Sequence, residues 1–176
     1  KAQRPANDDF RNTTDPSIQY ADPDGFPRIL TRPMKFKLIQ NDDYIYQLWE
    51  YNQNWRQITM NKPHSQDPAL TWYGEAVGKW EGDTLVIDTV NFKRWILDDY
   101  HYTDPTKTRW HSDALHTIER LKREGNKLSY QITIDDPKIF TRPFSQDFEL
   151  TIRPDWDELG LLEYVCEENN RCAGGN

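Results

Sequence analysis

The chain has 176 residues, 22 of them Lys or Arg and 29 Asp or Glu, giving a net charge of -7, which is one domain's worth of acidic sequence. That balance argues against a nucleic-acid groove, where a basic patch is needed. No apolar run exceeds three residues, as in Leu85, Val86 and Ile87, so a membrane-spanning helix of about 20 apolar residues is excluded.

Five of the eleven prolines, Pro5, Pro16, Pro23, Pro27 and Pro33, fall in the first 33 residues among Asn, Asp and Thr. Residues 1–33 therefore read as an irregular, polar N-terminal arm ahead of a domain over 34–176. From there the period is two. Residues 34–40 and 44–51 read as a hairpin around Asn41, Asp42 and Asp43, and 55–60 as a third strand. The clearest unit, residues 71–92, places two alternating runs around Glu81, Gly82 and Asp83. If Glu81 and Gly82 form the loop, Glu75 lies opposite Asp88 and Val77 opposite Val86. A second hairpin over 113–137 turns at Glu124, Gly125 and Asn126. One of its faces carries Leu115, Thr117, Glu119, Leu121, Leu128, Tyr130, Ile132 and Ile134 and is expected to be buried. Residues 148–153 and 161–166 supply two more strands. No segment has a 3.6-residue stripe. The expected fold is all-β, a small antiparallel up-and-down barrel of lipocalin type, with room for one small ligand.

The sequence has no phosphate loop, no G-x-S-x-G elbow and no H-E-x-x-H pair, and no cofactor is expected. His111 and Asp113 lie two apart on one strand face, so Asp113 could orient and charge the imidazole beside an apolar surface. Solvent-facing roles are the competing reading. Asp88 and Glu75 are the second acid pair, because two carboxylates buried side by side cannot both ionise cheaply. A metal-dependent hydrolase using His111, Asp113 and His116 is a weaker reading, since His116 points to the opposite strand face. Glu119, within an apolar face, needs an ion-pair partner, Arg56 or Arg142. Among seven Trp, nine Tyr and seven Phe, the rings Tyr46, Trp49, Trp72, Trp80 and Tyr130 are candidate walls for a small hydrophobic substrate. Cys166 and Cys172 are the only cysteines and read either as a local disulfide or as two free thiols. The start at Lys1 suggests a processed or truncated N-terminus.

The stretches GFPR (25–28), WRQI (55–58), TWYGEAVGKWEGDTLVIDTVNF (71–92), HSDALHTIER (111–120), TIDDPKIFTRP (133–143), RPDW (153–156) and EYVCEEN (163–169) resemble a large family of exported bacterial proteins over residues 15–170. Members usually carry a Cys before the P-G-x-P-R stretch. Here that region reads QYADPDGFPR, so the resemblance leaves Cys172 as a local partner for Cys166. It also implies a periplasmic or secreted location after signal-peptide removal. Size, processing and chemical fit lead to an activity of the α-pinene oxide lyase (decyclase) type, in which acid opens a terpene epoxide to an acyclic aldehyde. That chemistry needs one acid, an apolar cavity and exclusion of water. The alternative from another class is a non-catalytic periplasmic carrier of small apolar molecules.

Overall fold

The computed structural model describes residues 15–20, 22–101, 104–155 and 160–163. Ten strands form: β1 (Phe36–Gln40), β2 (Tyr44–Trp49), β3 (Trp55–Met60), β4 (Glu75–Glu81), β5 (Thr84–Val90), β6 (Trp95–Ile96), β7 (Trp110–His111), β8 (His116–Glu124), β9 (Lys127–Asp135) and β10 (Phe144–Thr151). Eight of them build one sheet in the order β1-β2-β3-β4-β5-β8-β9-β10, while β6 and β7 pair separately. The fold is all-β, and the sheet is strongly curled into a mainly antiparallel, lipocalin-like half-barrel; among the described residues no helix reaches seven residues.

The chain order is that of a meander except at one seam. β3 and β4 run parallel, Ile58 beside Ala76, because residues 61–74 cross over instead of turning tightly. The Cys166–Cys172 pair and all but residues 161–163 of the last expected strand lie outside the described residues. Residues 161–163 themselves are not in a strand.

The alternation expected of the second hairpin holds: Leu115, Thr117, Glu119, Leu121, Tyr130, Ile132 and Ile134 are buried. The apolar ones meet Ile45, Ile58 and Ile87 in one core. The described residues of the N-terminal segment are not an irregular arm: they form two short helical turns, Pro16–Gln19 and Arg28–Thr31, and pack onto the domain. Phe26 and Ile29 are core residues, and Asp15, Asp24 and Arg28 are fully buried. Arg28 binds Asp15 through two bonds of 3.0 and 2.6 Å and lies 3.4 Å from Asp24. Buried charges persist only when paired, so these contacts let a polar sequence plug the open side of the half-barrel. A second cluster of Trp95, Ile96 and Tyr100, with Trp72 and Trp110 against it, forms around β6 and β7.

Candidate active site

The β4–β5 turn sets the geometry of the convex face. Glu81 pairs with Thr84, so Gly82 and Asp83 form the loop and Gly82 takes φ +64°, a conformation glycine adopts without steric cost. The register therefore moves by two from the expected one: Asp88 lies opposite Val77, and Glu75 opposite Val90. A shift of two preserves the face, so Glu75 and Asp88 remain on one side as diagonal neighbours.

His64, on the crossover, bridges them. Its Nε2 is 3.0 Å from Asp88 Oδ1 and its Nδ1 is 3.4 Å from Glu75 Oε2. His116 Nε2 also lies 3.0 Å from Asp88 Oδ1. A carboxylate oxygen only accepts, so each imidazole carries its proton on Nε2. Glu75 accepts from the Ser65 backbone N–H (2.9 Å) and hydroxyl (2.5 Å) and from Asn91 Nδ2 (3.1 Å). Burial pushes the Glu75 carboxyl up, but the Ser65 and Asn91 bonds and the nearby His64 outweigh it and hold it below the usual range. Glu75 is therefore ionised and does not retain the proton the sequence reading assigned to one of the pair. Asp88 is flanked by Val77 on β4 and Ile118 on β8, and the side chains of Asp88 and His116 are 40% and 37% exposed.

His111 and Asp113 are not brought together. The strand ends at His111, which is fully buried, with Nδ1 3.0 Å from the Ser112 carbonyl and Nε2 without a partner. Burial holds this imidazole below its ordinary pKa, outweighing the Ser112 bond and Asp136. Asp113 is exposed and bound to Lys138 at 2.6 Å, and that bond and charge lower its pKa. The group tying His111's segment down is instead Asp136, which is buried and accepts from the Ser112 N–H (2.6 Å) and hydroxyl (2.7 Å). His116 points to the convex face, so His111, Asp113 and His116 do not converge. Among the described residues no group of three or more His, Cys, Asp or Glu is arranged to hold a metal ion.

Inside the sheet, the partner Glu119 required is Arg56, at 3.0 and 2.6 Å. The Tyr130 hydroxyl donates to Glu119, and Gln47 Oε1 accepts from Arg56 Nε and Nη2 at 3.0 and 2.8 Å. Burial, then the Glu119 charge, pushes the Tyr130 phenol well up, so it stays neutral. A cavity of about 50 Å³ lies between the plug and the sheet, bounded by Leu30, Met34, Phe36, Trp49, Tyr130 and Phe148 among others. Of the five rings proposed as walls, Trp49 and Tyr130 line it. Tyr46 faces outward beside Trp55, because it alternates with buried Ile45 and Gln47. Trp72 packs on Trp95, and Trp80 is exposed near the strand end.

Sequence reasoning missed His64, which sits between the third expected strand and the unit over 71–92, in a stretch given no element. Its only signal was a histidine after Lys62 and Pro63 in an otherwise polar run. Compared with family models, curated proteins and solved structures, the chain matches none.

Proposed function

We propose that this protein is a cofactor-independent isomerase or lyase that opens a small hydrophobic epoxide such as α-pinene oxide, with His116 as the acid and Asp88 as its orienting carboxylate. The observation that carries the reading is the convergence of two imidazole nitrogens on one oxygen of Asp88. A carboxylate holding Nε2–H leaves Nδ1 of His116 to exchange a proton with substrate, the usual role of an oriented imidazole. Protonated Nδ1 gives its proton to the epoxide oxygen as the C–O bond breaks. The resulting cation opens the four-membered ring to a new C=C and a second tertiary cation. A 1,2-hydride shift then lets the C–C bond beside the hydroxyl-bearing carbon break to a further C=C and a protonated aldehyde, which returns the proton to Nδ1, so substrate and product are isomers. Val77 and Ile118 beside Asp88 supply apolar contact. Because the site is part-exposed, bound substrate itself must displace water, which would otherwise trap the cation as a diol. Export to the periplasm or beyond belongs to the same proposal and rests on the family resemblance.

Gas chromatography after incubation with α-pinene oxide tests this reading. Acyclic aldehyde is expected, and Asp88→Asn should lower its rate by roughly 10²–10⁴-fold. Aldehyde no higher than in buffer, or diol alone, overturns the assignment.

The carrier reading is favoured by a different observation, the apolar cavity beside Trp49 and Tyr130. Apolar cavities of about 150 Å³ accept benzene, so a terpene enters a space of about 50 Å³ only if the plug shifts. Saturable quenching of tryptophan fluorescence without turnover, abolished by Trp49→Phe, would support that reading over catalysis.

A further inference from the structure

The crossover between β3 and β4 is fastened at its two ends and at one point between them. Asn61 N–H donates to the Gly78 carbonyl at 2.8 Å, and Thr71 N–H to the Asn91 carbonyl at 3.1 Å. Residues 61–70 are all exposed except His64 and Pro68, which are half-buried. The polar contacts that draw this span onto the sheet come from His64 and Ser65, whose partners are Glu75 and Asp88. Among the described residues, exposed Lys62 adds a 4.0 Å approach to Asp43 and lies over the Tyr44 ring. Thus ten residues of backbone lie across the sheet by one middle fastening, and that fastening shares Asp88 with His116.

We propose that residues 61–70 are a lid over the Asp88–His116 pair, latched to Glu75 by Ser65 and to Asp88 by His64, and that release of this latch admits substrate. The admission of substrate rests on the catalytic reading above, whereas the latch does not. Glu75 is a positioning residue in this arrangement. Ser65 and Asn91 hold its carboxylate at 2.5–3.1 Å, and Oε2, which accepts from Asn91, lies 3.4 Å from Nδ1 of the imidazole that reaches Asp88. A span with few buried apolar contacts opens at low free energy, so losing hydrogen bonds to a charged group should shift its open fraction directly.

Amide hydrogen exchange on the full chain tests the latch, comparing wild type with Glu75→Ala and with Ser65→Ala, a substitution at an exposed position. The Ser65 amide, which donates to Glu75, should lose protection by roughly tenfold or more in both variants, while amides of β5 and β8 keep theirs. Unchanged protection in both variants, or a wild-type Ser65 amide already exchanging at the free rate, overturns the lid. If β5 and β8 also lose protection in Glu75→Ala, the Ser65→Ala result decides. Loss of protection in a protein that yields no aldehyde from α-pinene oxide would sustain the lid and remove the epoxide reading. Unchanged protection with full turnover would do the reverse.

Discussion

Arg56 and Glu119 come from strands separated by β4 and β5, yet their side chains meet inside the curl, with Arg56 also lying 4.1 Å over the Phe26 ring. Removing one partner leaves the other charge buried and unpaired, so Arg56→Met should cost about 3–5 kcal/mol. Arg56→Met combined with Glu119→Leu should cost less than Arg56→Met alone, because no orphan charge remains. Urea denaturation of wild type and the two variants reads this, and equal or greater loss in the double variant would contradict it. His111 carries a pH prediction. Its folded-state pKa is lowered by burial, while the unfolded imidazole titrates near 6.5. Below that value the unfolded chain binds the extra proton, so this contribution is full above about pH 6.5 and is lost as pH falls. The urea midpoint of wild type should therefore drop more between pH 7.5 and 5.5 than that of His111→Phe. An equal drop in both would show that His111 carries no such linkage. Sequence reading reached Glu119's need for a partner, since one Glu in an apolar face is conspicuous, but not the choice between Arg56 and Arg142. It paired His111 with Asp113 because it assumed a continuous strand, whereas the strand stops at His111.

Among the elements, hairpins were the most legible, because turn chemistry is local. Gly82 and Gly125 both take positive φ at the two turns the sequence marks, and an added Cβ at either meets nothing within 4 Å. Gly74 also has positive φ, but its Cβ would lie 2.7 Å from the Val90 carbonyl and 2.8 Å from the Phe92 ring. Gly82→Ala should accordingly cost only the left-handed penalty, about 1 kcal/mol, and Gly74→Ala distinctly more. Thermal melts of the two variants check the order, and equal losses would mean the Val90 and Phe92 contacts relax freely. The parallel β3–β4 seam was not legible. Alternation assigns a face to each strand but gives neither its neighbour nor its direction.

For the whole molecule, the N-terminal segment matters most. Its prolines and acids read as solvent-facing, yet Phe26 and Ile29 seal the core and Arg28 is enclosed by Asp15 and Asp24. Arg28→Met should leave the Asp15 carboxylate buried without its guanidinium, while Asp24 keeps Arg32; it should cost about 3–5 kcal/mol and expose the Trp49 and Tyr130 wall. Lower denaturation midpoints together with new binding of a fluorescent apolar dye would show this. Unchanged stability would mean the plug is not held by these charges.

The sequence by itself determined the class of fold, the inward and outward faces of its strands and the positions of its tight turns, because each follows from contacts between residues close along the chain. The tertiary structure decided which polar groups meet. His64 and Asp88 are 24 residues apart, and Arg56 and Glu119 are 63 apart. Those encounters depend on the curl of the sheet and the path of the crossover, which bring distant segments together through packing that no local pattern encodes. The aromatic surplus divides in the same way: composition shows that rings supply the bulk, and only the curl selects Trp49 and Tyr130 to line a cavity.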